Sequence, residues 1–308
     1  MALAANLTAI QMRIEAACAR ANRDPAAVTL LPVSKSQPPD AVRAIAGLGL
    51  NLFGESKVQE AKAKIPLCPG HLRWHMIGHL QTNKCRDAVE LFDMIQSVDS
   101  LHLAQEINKR AEQSAKRMPL LLEVNLTAEA RKFGYQPERL LSELQPINTL
   151  KRIEIQGLMT IAPWTLEPEK VRPFFRRLRE LKEQCEQILG APLPHLSMGM
   201  SGDFEVAIEE RATMIRIGTA LFGRRPQANT TKAAEKTDDR DVQAGDGRSA
   251  EVLREAHRLH RQNTGRMPGV DGSADGESDK SLFEPRPASA SRHRARSSTD
   301  RHPQPDRL

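Results

Sequence analysis

The sequence predicts an α/β fold: a single (β/α)8 barrel of the TIM type, with an N-terminal helix before it and a C-terminal tail after it. Short apolar runs alternate with amphipathic segments through residues 28–217, and a helical pattern or turn follows each run. Strict alternation of this kind implies a parallel sheet, and eight strands suit a closed barrel. An open doubly wound sheet is the alternative, but the strand count favours the barrel.

The first half of the chain provides the N-terminal helix and four strand–helix units. Apolar residues recur at helical spacing through residues 3–21, and Asp24-Pro25 ends this helix. Strands are predicted at 28–33, 50–53, 73–77 and 92–98. The helices that follow them are predicted at 40–46, 56–64, 81–90 and 100–115. Ser100 is a typical N-cap for the last of these helices.

The second half repeats the same alternation. Strands are predicted at 120–126, 153–159, 195–198 and 214–217. The helices between them are predicted at 136–144, 169–189 and 203–211. The run at 120–126 is nearly continuous in apolar residues, as expected for a strand covered on both faces.

The composition changes after Pro226. The chain becomes rich in Asp, Arg, Ser, Gly, Thr and Pro, and only 251–262 has the pattern of a short amphipathic helix. The other residues there have too little apolar surface to offset the entropy lost on ordering. We therefore predict a barrel over residues 1–226 and a disordered tail over residues 227–308.

Composition and charge restrict the classes of function. The net charge of +6 would suit nucleic acid, but no basic run with interleaved aromatic residues accompanies it, so we expect no nucleic-acid partner. The four cysteines show no metal-ligand spacing and are typical of reduced thiols in a cytoplasmic protein. No apolar run approaches the roughly 18 residues of a membrane span. We expect neither a membrane partner nor a signal peptide.

Lys35 is the first candidate functional residue. It closes the apolar run at residues 30–34, and Pro38-Pro39 prevents the strand from continuing. Burying an ammonium is costly, whereas a neutral amine in a pocket is what Schiff-base chemistry with an aldehyde requires. The alternative is that Lys35 extends from the strand end into water.

The loops after the last two strands have the composition of an anion site. Residues 197–203 and 216–220 offer small side chains, backbone N–H groups and the hydroxyls of Ser201 and Thr219. In a closed barrel, the last strand pairs with the first, so these loops lie beside Lys35. A phosphate site next to a lysine suits pyridoxal 5'-phosphate. Plain turn chemistry is the alternative for either loop alone.

Six segments carry a family resemblance when taken together and in order. They are residues 33–35, 53–60, 74–84, 157–159, 196–203 and 215–223. This set closely resembles the pyridoxal phosphate homeostasis protein family, whose barrel is shared with the N-terminal domain of alanine racemase. The resemblance spans residues 3–225 and stops before the tail.

The resemblance implies roles for individual residues. Lys35 would hold pyridoxal phosphate as an internal aldimine, and Ser201, Gly218 and Thr219 would contact the phosphate. Arg216 would approach the pyridine nitrogen and keep it unprotonated, because two adjacent cations repel. Without the family, Arg216 could equally form an ion pair at the surface or the barrel rim.

One position departs from the family pattern. The family usually has Asn after Gly-Glu, whereas this chain has Ser56, which is shorter. A contact from Ser56 to the cofactor ring would therefore need a bridging water.

The resemblance implies a binding protein rather than an enzyme. A racemase of this fold needs a second acid/base opposite the cofactor, usually a tyrosine from an additional domain of its partner. The chain's only tyrosine is Tyr135, and the other candidate bases are His75, His79 and Lys132. We expect a non-catalytic protein of vitamin B6 homeostasis, a monomer rather than a dimer, with cofactor-accepting apo-enzymes as partners. An amino-acid racemase or decarboxylase is the alternative.

Overall fold

Eight parallel strands form one sheet in the computed structural model, which describes residues 2–127 and 133–223. The strands are β1 Thr29–Pro32, β2 Leu52–Glu55, β3 Arg73–Met76, β4 Met94–Val98, β5 Met118–Glu123, β6 Ile153–Met159, β7 His195–Ser197 and β8 Met214–Ile217. Their order is β1-β8-β7-β6-β5-β4-β3-β2. A bridge between Val33 and Gly54 links the first two strands, so the sheet closes. The predicted barrel is confirmed, and the open sheet is wrong.

Helices surround the sheet, in the expected alternation with the strands. They are α1 Ala2–Arg20, α2 Pro39–Ala46, α3 Val58–Lys64, α4 Cys85–Leu91, α5 Leu101–Gln113, α6 Pro137–Asn148, α7 Arg172–Leu189, α8 Phe204–Glu209 and α9 Thr219–Phe222. Ser100 caps α5 as predicted, because its Oγ accepts a hydrogen bond from the Leu103 N–H at 3.3 Å. The apolar stripe of α7 buries Phe175, Leu178 and Leu181 against the core.

Several element boundaries differ from the prediction. β2 lies two residues later than predicted, α4 begins at Cys85 after a 3-10 turn at Thr82–Lys84, and α7 begins three residues late.

The boundaries of β5 and α6 also differ. β5 begins at Met118 and ends at Glu123, whereas the sequence predicted a strand at 120–126. Pairing with β6 determines where the strand ends, and the length of the apolar run does not. α6 continues through Pro146 to Asn148, whereas the sequence predicted that the helix ends at Leu144. Proline removes one helical hydrogen bond, but the buried side chain of Ile147 anchors the last turn in the core.

Apolar side chains pack on both faces of the sheet, in one large core on one face and in smaller clusters on the other. The main apolar core lies between the sheet and the helices. Residues that alternate with the core residues along the strands form two smaller clusters. One contains Leu31, Ile77 and Met214, and the other contains Met94, Leu121 and Met159. This alternation places the smaller clusters inside the barrel. Arg216 continues the same inward-facing positions on the last strand, two residues after Met214.

The predicted tail, residues 227–308, lies outside the described residues. Among the residues that the structure does describe, none of the helices is both long and apolar enough to span a bilayer.

Candidate functional site

Six residues predicted from the sequence lie at the C-terminal ends of four strands or just beyond them, and these strands are neighbours around the closed barrel. They are Lys35, Ser56, Ser201, Arg216, Gly218 and Thr219. In a barrel of this kind, that end is where ligand sites are built. The structure therefore brings the candidate residues to one side of one barrel face.

Lys35 lies in a turn beyond β1 rather than in the strand itself. β1 ends at Pro32, and Val33 adds only a single bridge to β2. The side chain of Lys35 is half-buried, and its ammonium has no hydrogen-bond or ion-pair partner within residues 2–127 and 133–223. The amine is therefore free to meet a ligand.

Closure of the barrel brings the last strand to Lys35. Leu31 pairs with Arg216, and the Val33 N–H donates to the Ile217 carbonyl at 2.8 Å. Gly218 follows immediately, where a Cβ would lie 3.6 Å from that of Val33. The start of α9 thus lies beside the segment that carries Lys35.

A hydrogen bond joins the two loops that were predicted to bind an anion. Ser201 Oγ accepts from the Ala220 N–H at 3.2 Å, which ties the loop after β7 to the first turn of α9. The first N–H groups of a helix have no partner inside the helix, so those at Gly218 and Thr219 lie where an anion can accept from them. The hydroxyl of Thr219 is on an exposed residue at the same place. The two loops together form one polar pocket edge.

Arg216 is buried inside the barrel. Its Nη1 donates to Ser197 Oγ and its Nη2 to the Thr160 carbonyl, both at 2.8 Å. Burial lowers the pKa of Arg216 to about 10, while the charges of Glu123 and Asp203 oppose that change. The residue remains a cation at neutral pH, and its 4% exposure excludes a surface ion pair.

A chain of polar side chains continues from Arg216 across the barrel. Ser197 Oγ donates to Gln96 Oε1 at 2.7 Å, and Gln96 Nε2 lies 2.8 Å from His75 Nδ1. Burial lowers the pKa of His75 to about 3, so its ring is neutral. Sequence reasoning missed Ser197 and Gln96 as partners of Arg216, because only the fold brings β4, β7 and β8 together.

Glu123 is a second group that the sequence did not single out. It ends β5 on the same face as Leu121, inside the barrel. Burial raises the pKa of Glu123 to about 7; the charge of Asp99 adds to this effect, and Arg216 opposes it. The only signal in the sequence is one acidic residue interrupting the apolar run at 120–126.

The candidate acid/base residues do not converge on Lys35. Tyr135 is buried in the core between the sheet and the helices, with Arg139 of α6 over its ring at 5.7 Å. His75 lies deeper in the barrel, and His79 stacks on Phe133 with ring centres 3.6 Å apart. Lys132 lies outside the described residues.

A cavity of about 620 Å³ opens at the opposite end of the barrel. The residues that line it come from the beginnings of strands, among them Thr29, Arg73, Pro119 and His195. This end of a TIM-type barrel is associated with stability rather than with ligand chemistry. The cavity contains none of the six candidate residues.

The fold and the site define a barrel of the alanine racemase type. The family model described as "Alanine racemase, N-terminal domain" matches residues 5–226. Alanine racemase of Clostridium difficile shares the fold, with a TM-score of 0.59 at 18% identity, over 75% of this chain and 59% of that one.

Proteins of higher sequence identity show which family within this class the chain belongs to. Two proteins named pyridoxal phosphate homeostasis protein match, one from Aquifex aeolicus at 44% identity over 220 residues and one from Pseudomonas aeruginosa at 42% over 224. These matches cover 71% and 72% of this chain and 96% of each relative. PipY of Synechococcus elongatus, with pyridoxal phosphate bound, matches with a TM-score of 0.62 at 39% identity, over 70% of this chain and 100% of PipY. The chain belongs to the pyridoxal phosphate homeostasis protein family, which confirms the resemblance.

Proposed function

We propose that this chain binds pyridoxal 5'-phosphate where β1, β2, β7 and β8 end, and takes part in pyridoxal phosphate homeostasis. The observation that carries the proposal is the hydrogen bond from the Ala220 N–H to Ser201 Oγ, which unites two small-residue loops beside Lys35. An anion site next to an unpartnered amine suits a phosphorylated aldehyde. The names of the relatives and the ligand of PipY support the same cofactor.

Lys35 holds the cofactor covalently in this proposal. Its amine would hold the cofactor through the aldehyde, by the condensation of an amine with an aldehyde that releases one water. The position of Lys35 beside β8, half-buried and without a competing partner among residues 2–127 and 133–223, supports this role. When bound, the cofactor supplies an electron-accepting ring.

Ser201, Gly218 and Thr219 hold the phosphate. The site fits an anion, because Ser201 Oγ and the first turn of α9 already lie within one hydrogen bond of each other. Gly218 has no side chain, so an anion can approach the backbone N–H groups closely. Ser56 lies in the loop after β2, and a water bridges its short side chain to the ring.

Arg216 faces the ring nitrogen. Ser197 and Thr160 fix the guanidinium in place, so a positive charge remains next to that nitrogen. The ring nitrogen then stays unprotonated, because protonation would place two cations side by side. The bound ring is consequently a weak electron acceptor, which supports a binding role over catalysis.

The protein holds the cofactor without turning over a substrate. A racemase or decarboxylase is the alternative, and it would need a second acid/base opposite Lys35. Tyr135 is buried behind the sheet, and burial raises its pKa, so it cannot act as that acid/base.

We place the protein in the cytoplasm as a monomer that passes the cofactor to apo-enzymes. Four free cysteines within the described residues support a reducing compartment.

The phosphate site is tested with the double variant Ser201→Ala/Thr219→Val. Each hydrogen bond to a charged group contributes roughly 1.5–3 kcal/mol, so affinity for pyridoxal phosphate is expected to fall at least about tenfold. Affinity for pyridoxal, which lacks the phosphate, is expected to stay close to that of the wild type. Equal losses for both ligands, measured by equilibrium dialysis, would contradict the phosphate assignment.

Turnover is tested by incubating the cofactor-loaded protein with L-amino acids in deuterated water. A racemase exchanges the Cα hydrogen of its substrate with solvent, and a decarboxylase releases carbon dioxide. We expect neither deuterium at Cα by mass spectrometry nor gas release. Exchange at the rate of an amino-acid racemase would establish the alternative.

A further inference from the structure

A buried charged cluster lies directly behind Lys35. We name it the Lys64 cluster, and it consists of Ser34, Glu55, Glu60 and Lys64. Lys64 Nζ donates to the Ser34 carbonyl at 2.7 Å, to Glu55 Oε1 at 2.5 Å and to Glu60 Oε1 at 2.8 Å. An ammonium has three N–H donors, so all three are used. The side chain of Lys64 is only 5% exposed, although it ends a surface helix.

The cluster reaches the chain on both sides of Lys35. Before it, the Ser34 Oγ donates to Glu55 Oε1 at 2.8 Å, and the Ser34 carbonyl accepts from Lys64. After it, the Ser36 N–H donates to Glu60 Oε1 at 2.6 Å. The side chain of Lys35 itself takes no part. The cluster therefore fixes the backbone of Lys35 and leaves its amine free.

The backbone at Ser36 is held in an unfavourable conformation. Its φ is +61°, in the left-handed region that residues other than glycine disfavour. Such a conformation persists only where the surrounding structure imposes it, and it concentrates at functional sites. Two hydrogen bonds hold it here: the Ser36 N–H donates to Glu60 Oε1, and the Gln37 N–H donates to the Ser34 carbonyl at 2.9 Å.

Stability alone does not account for the cluster. Glu55 is fully buried, and its Oε2 has no hydrogen-bond partner among the described residues. A buried ion pair often contributes no more than an apolar pair of the same volume, because both charges lose their hydration. The hydrogen bonds of the cluster are instead concentrated on the residues immediately before and after Lys35.

We propose that Lys64 is a positioning residue, which acts through Ser34 and Glu60 to hold the turn at residues 34–36 so that the amine of Lys35 points at the aldehyde carbon of the cofactor. The proposal rests on the proposed function, in which Lys35 carries pyridoxal phosphate. Loss of the cluster lets the turn relax and misplaces the amine. A misplacement of about 1 Å can cost about 100-fold in rate, so we expect imine formation to slow between about 10- and 100-fold.

The test follows imine formation by absorbance after pyridoxal phosphate is mixed with the cofactor-free protein. Lys64→Met removes the centre of the cluster. Glu60→Ala releases Ser36 and removes one of the three acceptors of Lys64, but keeps the contacts of Lys64 with Ser34 and Glu55. Glu60→Gln keeps an oxygen that can accept from the Ser36 N–H while removing the charge. Lys62→Met is the matched control, because Lys62 lies on the same helix but is 60% exposed and paired with Asp87.

We expect Lys64→Met and Glu60→Ala to slow imine formation, while Glu60→Gln and Lys62→Met stay within about twofold of the wild type. If Lys64→Met fails to fold, as judged by circular dichroism, then Glu60→Ala decides. Wild-type rates in Glu60→Ala would overturn the proposal. A loss in Glu60→Gln equal to that in Glu60→Ala would also overturn it, since charge rather than positioning would then be responsible.

The same experiment separates this role from the proposed function. Borohydride reduction of the wild-type protein followed by peptide mapping shows whether the adduct lies on Lys35. An adduct elsewhere, or none, refutes the proposed function and this role with it. An adduct on Lys35 with unchanged rates in Lys64→Met and Glu60→Ala refutes the positioning role alone.

Discussion

Lys35 lies just beyond β1 and Arg216 lies in the adjacent strand β8, and their surroundings give the two side chains different properties. Arg216 is buried, and its guanidinium is held by Ser197 and Thr160. Lys35 is half-buried, and its ammonium has no partner within the described residues. Because a fixed guanidinium orients a ligand whereas a free amine can react with one, the two residues suit separate tasks in the same site.

Glu123 makes stability depend on pH. Its pKa is raised from 4.5 to about 7 by burial, so the folded state keeps a proton that the unfolded state has lost between these values. The free energy of unfolding of the cofactor-free protein should therefore fall as the pH rises from 5 to 8. A shift of this size corresponds to at most about 3 kcal/mol.

Glu123→Gln tests this pH dependence, because the amide does not titrate. We expect the variant to gain stability relative to the wild type as the pH rises from 5 to 8, measured by urea unfolding at each pH. The control is Glu154→Gln, since Glu154 is 43% exposed and pairs with Arg117 at the surface. A parallel pH dependence in wild type and Glu123→Gln would show that another group is responsible.

Sequence reasoning located single residues better than it located their partners. Lys35 and Arg216 could be predicted because each follows an apolar run at the end of a strand. Ser197, Gln96 and Glu123 could not, because they meet only when distant strands close into a barrel. Lys64 could not be predicted either, because its position at the end of a polar helix is typical of a solvated side chain.

At the scale of elements, the pairing of β6 with β7 depends on one glycine. Gly157 lies opposite His195, and a Cβ on Gly157 would be 1.9 Å from the His195 carbonyl oxygen. Real side chains do not approach a backbone atom so closely, so the strands could not keep this separation. The glycine therefore sets how closely two strands of the barrel pack.

Gly157→Ala is expected to destabilise the protein by at least about 2 kcal/mol, because β6 and β7 would have to move apart. The free energy of unfolding in urea measures the effect. Gly70→Ala is the matched control, since no atom lies within 4 Å of a Cβ built on Gly70. A cost no larger than that of the control would mean that the strands adjust without strain.

The elements themselves were largely predictable. β6 has the predicted bounds of 153–159, because an alternating run with clear turn residues on both sides defines it. β5 was placed two residues late, because an almost continuous apolar run gives no signal for where pairing begins. α6 extends four residues beyond the predicted end at Leu144 and passes through Pro146, since a proline stops a helix only where the core does not hold the next turn.

At the scale of the whole molecule, the candidate site exists only because the barrel closes. Lys35 follows the first strand and Thr219 follows the last, so contacts between residues far apart in the chain build one pocket edge. Residues 5–226 contain all of these elements and coincide with the match to the family model. All six candidate residues lie in this part of the chain.

Removing residues 227–308 is expected to leave the affinity for pyridoxal phosphate unchanged, because each of the six candidate residues precedes residue 220. Equilibrium dialysis of the truncated and full-length proteins compares the two affinities directly. A loss of affinity on truncation would assign the tail a part in binding.

Borohydride reduction of the protein loaded with pyridoxal phosphate, followed by mass mapping of the peptides, shows which lysine carries the cofactor. We predict one pyridoxyl phosphate adduct on Lys35, together with loss of the imine absorbance in Lys35→Ala. A protein that stays colourless after incubation with the aldehyde, or an adduct on another lysine in place of Lys35, would contradict the account.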